Sequence, residues 1–105
     1  MSKLRVLEAN EFAQTIATGV VLVDFGAPWC GPCKALEPLV YQLGRELEGQ
    51  LTTAKVDIEA TPELSAQFGV MSVPTLMLFK DGKRVAARSG GQSLDQLRAF
   101  VQQSL

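Results

Sequence analysis

The stretch Ala27-Pro28-Trp29-Cys30-Gly31-Pro32-Cys33-Lys34 contains the only two cysteines of the chain, with two residues between them. It follows an apolar run at residues 20–25 that predicts a buried strand, and it precedes residues 35–47, whose apolar spacing predicts a helix. A Cys-x-x-Cys pair that opens a helix places its first sulfur at the positive end of the helix dipole. Such a sulfur ionises easily, and the thiolate is the form that attacks disulfides. The stretch therefore predicts a strand, a loop and a helix that together present reactive sulfurs.

Length and composition are those of a single domain spanning residues 1–105. The chain is 47% hydrophobic, and its 10 basic and 11 acidic residues leave a net charge of −1, which argues against nucleic-acid binding. It has no apolar stretch of about 18 residues, so we expect no membrane span. Its first five residues are not followed directly by the continuous apolar segment of a signal peptide, so we expect no secretory signal. Two cysteines fit a cytosolic protein whose thiols carry out chemistry. The lack of histidine excludes nucleophiles that depend on a histidine base.

Hydrophobic periodicity, turn residues and helix caps predict the element order β-α-β-α-β-α-β-β-α. The predicted strands are residues 5–7, 20–25, 51–58, 75–80 and 83–88, and the predicted helices are residues 11–18, 35–47, 62–68 and 94–103. Asn10, Thr61 and Ser93 are the predicted N-caps of three helices, and Asp81-Gly82 is the predicted hairpin turn. Alternating strands and helices favour parallel pairing, to which the hairpin adds an antiparallel end. The sequence thus predicts an α/β fold with a mixed five-stranded sheet flanked by four helices.

Cys30 and Cys33 allow three interpretations. They could be buried structural residues, or half of a zinc or iron–sulfur site shared by two chains, since a closed zinc site needs four ligands and this chain offers two. The redox interpretation is favoured: Cys30 attacks a disulfide as a thiolate, and Cys33, one turn further into the helix, resolves the mixed disulfide. Gly31 permits close backbone approach, and Pro32 stiffens the first helical turn. We predict no metal site.

Asp24 and Lys55 are charged residues in strands that are otherwise largely apolar. An unpaired buried carboxylate is costly, so Asp24 should either hold a proton or have a partner. It could tie down a turn, or it could be an acid–base group beneath the cysteines, which is the interpretation we favour. Lys55 could act on Asp24, or it could equally be a solvated lysine whose aliphatic stem covers apolar surface.

These features resemble the thioredoxin family, and the resemblance covers essentially the whole chain. It rests on Trp-Cys-Gly-Pro-Cys-Lys after a buried strand, on Asp24 within that strand, and on Val73-Pro74-Thr75 before the hairpin. The resemblance implies that Asp24 accepts the proton of Cys33, directly or through a water, and that Lys55 tunes this pair. The Gly31-Pro32 pair resembles that of the reducing members of the fold.

The resemblance also implies a surface that binds substrate. Pro74 would follow a cis peptide bond and face the cysteines, which leaves the backbone of Val73 free to pair with an extended substrate strand. Gly90 would lie on the same rim. Trp29, which could instead be a core aromatic, would lie beside Cys30 as an apolar wall.

Four residues near this site depart from the family pattern. Gly26 replaces a tryptophan or another larger residue, and Pro28 replaces an acidic residue that is common there. Met71-Ser72 replaces a segment that often carries a charge and a glycine. These departures could tune redox potential or the choice of partner.

The implied function is reduction of protein disulfides by dithiol–disulfide exchange. We expect a cytoplasmic monomer with no bound cofactor, which receives electrons from NADPH through a thioredoxin reductase, or from ferredoxin through its own reductase, and passes them to client proteins. Two alternatives stay open. One is a disulfide oxidase or isomerase on the same fold, and the other is a binding module whose partner needs the fold and not the thiols.

Overall fold

The computed structural model describes residues 3–105. Four strands and four helices alternate along the chain until a hairpin and a final helix, in the order α1 (Ala9–Ile16), β1 (Val20–Gly26), α2 (Gly31–Glu46), β2 (Leu51–Asp57), α3 (Pro62–Gln67), β3 (Thr75–Lys80), β4 (Lys83–Ser89) and α4 (Leu94–Gln102). The strands form one sheet in the order β2-β1-β3-β4. β1 pairs with β2 in parallel, and the β1–β3 and β3–β4 pairs are antiparallel. The predicted α/β fold with a mixed sheet and four helices is confirmed.

The predicted fifth strand at residues 5–7 is wrong. Val6 forms only an isolated parallel bridge with Lys55, on the outer edge of β2. The backbone N–H of Leu7 donates to the carbonyl of Lys55, and the N–H of Lys55 donates to the carbonyl of Arg5. Because the chain enters α1 at Ala9, pairing stops after this bridge. Within residues 3–105 the sheet therefore has four strands.

Strand β1 is buried on both faces, and its side chains alternate between two core clusters. Leu22 belongs to the cluster that also contains residues of α2 and α4. Val23 and Phe25 belong to the opposite cluster, which contains residues of α1 and α3. Asp24 alternates with its neighbours and so lies on the α2 face of the sheet. This places a carboxyl group in an otherwise apolar layer.

Two helix starts and one helix cap differ from the sequence prediction. Helix α1 follows Glu8 rather than Asn10, because the side chain of Glu11 accepts a hydrogen bond from the Glu8 N–H across 3.0 Å. Helix α2 begins at Gly31 rather than residue 35, since its N-cap is Cys30. Thr61 is at the N-cap position of α3, but its hydroxyl donates backwards to the carbonyl of Asp57 and does not cap the helix.

The C-terminal elements follow the prediction closely. Asp81 and Gly82 form the turn between β3 and β4 with φ angles of 50° and 88°, a left-handed conformation that suits an Asp-Gly pair. Ser93 and Gln96 form the predicted capping box, in which each side chain accepts a hydrogen bond from the backbone N–H of the other. No helix in the described part of the chain is long and apolar enough to cross a membrane.

Candidate active site

Cys30 and Cys33 lie where β1 gives way to α2. Their sulfurs are joined as a disulfide, and their Cα atoms are 5.2 Å apart. Cys30 is the N-cap of α2, and its sulfur accepts a hydrogen bond from the Cys33 N–H across 3.2 Å. Cys30 keeps 5% of its surface exposed, whereas Cys33 has none. The first sulfur is therefore the one nearer to solvent, and it meets the N-terminal N–H groups of a helix.

The two residues between the cysteines form the first turn of α2. Gly31 and Pro32 are both exposed. Proline fits this turn because its nitrogen has no hydrogen to leave unpaired. The turn therefore presents the Cys30 sulfur on a short and stiff segment.

Asp24 lies beneath the cysteine pair. Its side chain is on the same face of β1 as Gly26, two residues on, and a Cβ built on Gly26 would be 3.3 Å from the Cβ of Cys33. Asp24 is 1% exposed, and neither of its carboxyl oxygens has a hydrogen-bond partner among residues 3–105. Burial raises its pKa to about 7, with repulsion from Glu37 adding to the rise and Lys55 opposing it. A carboxyl with this pKa can take up or release a proton at neutral pH.

Lys55 lies directly across from Asp24 in the parallel register of β1 and β2. Its ammonium nevertheless pairs with Glu37 of α2, at 2.9 Å from Nζ to Oε1. The side chains of Lys55 and Glu37 are 21% and 16% exposed, so this is a largely buried ion pair and Lys55 is not a freely solvated lysine.

The segment before β3 forms a rim beside the cysteines. The Val73–Pro74 peptide bond is cis, as the resemblance implied. Val73 packs against the cluster that contains Cys30 and Cys33. Gly90 joins the rim from the end of β4, because its N–H donates to the carbonyl of Pro74 across 2.9 Å. Its φ of +87° is one that favours glycine.

Trp29 is 65% exposed, so it is not a core aromatic. Its indole Nε1 donates to Oε2 of Glu59 across 2.7 Å. The backbone N–H of Glu59 in turn donates to Oδ1 of Asp57, at the end of β2. The indole is thus hydrogen-bonded to the loop after β2, while most of its surface faces solvent.

A groove of about 840 Å³ opens beside Gly26, on the side of the site away from the rim. Its walls include Pro28 from the active-site loop, Glu37 and Tyr41 from α2, and Lys55 from β2. A side chain larger than glycine at position 26 would project between Cys33 and this groove. The groove therefore marks the space that a side chain larger than glycine at position 26 would enter.

Comparisons with known proteins agree with this geometry. The sequence model of the Thioredoxin family matches residues 3–103. The chain is 49% identical to the thioredoxin of Chlamydia muridarum over 98 residues, which cover 93% of this chain and 95% of that protein. It is 39% identical to the thioredoxin of Staphylococcus saprophyticus over the full length of both chains. It is also 39% identical to the thioredoxin of Bacillus subtilis, over 91% of this chain and 92% of that one.

The chain belongs to the thioredoxin family. It is accordingly an oxidoreductase that acts on protein disulfides, and Cys30 and Cys33 are its redox-active pair. The resemblance inferred from the sequence is confirmed. The residues for which it implied roles come together in the structure: Asp24 and Lys55 lie on the α2 face beneath the cysteines, and Val73 packs beside them.

Two residues of this thioredoxin site were missed in the sequence. Glu37 is four residues after Cys33, a spacing that places both on one face of α2, and this signal could have found it. Glu59 carries no such signal, because its contact with Trp29 joins residues 30 positions apart. Within residues 3–105 no group of three or more histidine, cysteine, aspartate or glutamate side chains could hold a metal ion.

Proposed function

We propose that this thioredoxin-family chain works in the reducing direction and transfers two electrons from a reductase to disulfides in client proteins. The observation that carries the proposal is the position of the Cys30 sulfur. It belongs to the more exposed of the two cysteines, and it accepts a hydrogen bond from the Cys33 N–H at the start of α2. A thiolate there gains a hydrogen bond and the favourable end of a helix dipole.

The reaction begins with the reduced pair. The Cys30 thiolate attacks one sulfur of a client disulfide, which forms a Cys30–client mixed disulfide and releases the other client sulfur as a thiolate. Cys33 then loses its proton to Asp24, directly or through a water, and its thiolate attacks Cys30. The client leaves as a dithiol after it picks up protons, and the Cys30–Cys33 disulfide is restored.

The surrounding residues prepare this exchange. Lys55 tunes Asp24, and Gly31 and Pro32 tune the stability of the reduced pair. Trp29 supplies an apolar wall, while Val73, Pro74 and Gly90 form the rim on which an extended client segment lies. The support for this rim is the packing of Val73 against the cysteines and the hydrogen bond from Gly90 to Pro74.

The electrons come from outside the chain. We assign their source to NADPH through a flavoprotein thioredoxin reductase, with ferredoxin and its own reductase as the other source. The protein needs no bound cofactor for thiol–disulfide exchange, since the two cysteines carry both electrons. A chain with two cysteines that work as thiols suits the reducing cytoplasm, where we place it as a monomer.

Insulin reduction tests the proposal. Oxidised protein is mixed with insulin, NADPH and a bacterial thioredoxin reductase, and NADPH oxidation is followed by absorbance. We expect turnover that stops when any one component is left out. A parallel reaction with reduced ferredoxin and ferredoxin–thioredoxin reductase distinguishes the two donors.

Two measurements separate the reductase from its alternatives. A redox titration against glutathione should give a potential near the reducing end of the range for this fold, about −270 mV. A potential near about −120 mV would indicate an oxidase. A Cys30→Ser, Cys33→Ser double variant that still complements a strain lacking its thioredoxin would show that the fold alone is needed, as expected of a binding module.

A further inference from the structure

A buried ion pair adjoins the proton acceptor proposed above. Glu37 lies on α2, one turn after Cys33, and Lys55 lies on β2, opposite Asp24. The ammonium Nζ of Lys55 is 2.9 Å from Oε1 of Glu37, and both side chains are mostly shielded from solvent. Two carboxyl groups therefore compete for one ammonium group.

The competition is resolved in favour of Glu37. Lys55 and Asp24 are register partners in adjacent parallel strands, so their side chains leave the sheet on the same face. Lys55 nevertheless donates its hydrogen bond to Glu37. The two carboxyl oxygens of Asp24 are left without a hydrogen-bond partner in the described part of the chain. The ammonium that could neutralise Asp24 is instead paired with Glu37.

We propose that Glu37 is a positioning residue for disulfide exchange: it holds the Lys55 ammonium away from Asp24 and so sets the pH at which Asp24 gains and loses its proton. The role deepens the proposed function, since it rests on Asp24 as the proton acceptor of Cys33. Glu37 does not touch the reacting sulfurs in this account. It acts through Lys55 and through its own charge.

Both effects of Glu37 have the same sign. Its negative charge repels a negative charge on Asp24, which favours the protonated form of Asp24. Its ion pair with Lys55 keeps the ammonium from pairing with the Asp24 carboxylate, which also favours the protonated form. The causes of the raised pKa of Asp24 agree with this account, because burial comes first, repulsion by Glu37 second, and attraction by Lys55 works against both. Removing the charge of Glu37 should therefore lower the pKa of Asp24.

Few other groups on this face of the sheet can titrate or carry charge. They are Cys33, Glu37 and Tyr41 on α2, Lys55 and Asp57 on β2, and Arg88 on β4, while Lys80 on β3 and Lys83 on β4 lie at the opposite end of the strands. Cys33 does not titrate in the disulfide form, the carboxylate of Asp57 accepts the Glu59 N–H, and the guanidinium of Arg88 lies over the ring of Phe100 on α4. The neighbour of Asp24 from β3 is the apolar Leu76, and the buried residues that α4 contributes to this face, Leu97, Phe100 and Val101, are apolar as well.

The test is a titration of Asp24 in the oxidised full-length protein. Aspartate carboxyl carbons are labelled with 13C, and the Asp24 resonance is assigned by its absence from the Asp24→Asn variant. In Glu37→Gln the side chain keeps its length and can still accept a hydrogen bond from Lys55, but it loses its charge. We expect the midpoint of the Asp24 titration to fall by about one pH unit.

Two further variants test whether the effect is specific to Glu37 and whether it acts through Lys55. Glu46→Gln removes a charge from the same helix by the same substitution, in an exposed pair with Arg98, and should leave the midpoint unchanged. In a Lys55→Gln background, Glu37→Gln should lower the midpoint by less than it does in the parent, because only the repulsion remains to be removed. A role of Glu37 limited to folding would not move the midpoint at all.

The outcomes separate this inference from the proposed function. An Asp24 midpoint that stays at the parent value in folded Glu37→Gln would overturn the role of Glu37, whatever the activity. A lowered midpoint together with an equal shift in the pH profile of insulin reduction would support both. A lowered midpoint with an unchanged pH profile would overturn Asp24 as the proton acceptor, and with it the claim that Glu37 serves the reaction.

Discussion

The backbone N–H of Cys33 donates a hydrogen bond to the sulfur of Cys30, with 3.2 Å between nitrogen and sulfur. The contact exists because Cys30 is the N-cap of α2 and Cys33 is three residues further on, where an N-cap side chain finds its usual partner. The same N–H would stabilise a thiolate on Cys30 once the disulfide is reduced. The Cys-x-x-Cys spacing thus makes the two residues unequal and gives each a separate role.

Serine substitutions should separate these roles. Cys30→Ser should abolish insulin reduction, because no thiolate remains to attack the client. Cys33→Ser should keep the attack and lose the resolving step, so that the protein accumulates as mixed disulfides with its clients. Non-reducing gel electrophoresis after incubation with an oxidised client measures the trapped species. Trapping by Cys30→Ser and none by Cys33→Ser would reverse the assignment.

Asp24→Asn should stabilise the fold at neutral and alkaline pH. The pKa of Asp24 is raised from 3.8 to about 7, so the folded protein binds this proton more tightly than the unfolded chain does. Its stability therefore falls as pH rises from about 4 to about 7, and it stays lowered above that. The pKa difference corresponds to a gain of at most about 4 kcal/mol in the free energy of unfolding. The cost of burying the unpaired amide of asparagine reduces this gain.

The measurement is urea unfolding of both proteins at pH 5 and pH 8. The advantage of Asp24→Asn should be larger at pH 8, at roughly 2 kcal/mol, and it should come with slower insulin reduction near neutral pH. A variant less stable than the parent at pH 8 would mean that the carboxylate is a paired structural group.

Gly26→Trp should stabilise the protein by about 1 kcal/mol, because the indole can fill the groove beside α2 and bury apolar surface there. The limiting contact is with Cys33, since a Cβ on Gly26 would be 3.3 Å from its Cβ and 3.4 Å from its sulfur. Urea unfolding gives the free energy of unfolding.

Gly26→Ala is the matched control for this prediction. It adds the Cβ that contacts Cys33 but leaves the groove empty, so it should be no more stable than the parent. A Gly26→Trp variant less stable than the parent would show that the neighbouring side chains cannot shift enough to accommodate an indole. The space beside Gly26 would then be too small for a larger side chain.

Glu59→Ala should increase the mobility of the Trp29 side chain without unfolding the protein. The variant removes the acceptor of the indole N–H, a hydrogen bond on an exposed side chain whose loss should cost about 1 kcal/mol or less. Trp29 is the only tryptophan, so its fluorescence anisotropy reports the change directly and should fall. The KM for insulin should rise while kcat changes little, because the role proposed for the indole is to bind the client and not to react with it.

Glu48→Ala is the control for Glu59→Ala, since Glu48 is an exposed carboxylate after α2 and away from Trp29. It should change neither anisotropy nor KM. An unchanged anisotropy in Glu59→Ala would show that the packing of the indole, rather than its hydrogen bond, fixes its position.

Elements with a local signal in the sequence have the predicted structure. The strand before Cys30, the hairpin turn at Asp81 and Gly82 and the capping box at Ser93 and Gln96 all depend on residues within a few positions of one another. The exception lies near the N-terminus, where residues 5–7 were predicted to form a short strand. There α1 starts close by at Ala9, and among residues 3–8 Val6 alone forms a bridge to the sheet.

The amino-acid sequence favoured redox chemistry over a structural or metal role, because its two cysteines are separated by Gly-Pro at the start of a helix and two ligands cannot close a metal site. It also determined that Asp24 is a buried carboxyl, since an apolar strand surrounds it. The partner of the Lys55 ammonium, the carboxylate that accepts the Trp29 indole N–H and the side chain that lies against Gly26 could not be read from the sequence. These contacts join residues from different elements, and the order of strands in the sheet and the placement of α2 over it bring them within reach.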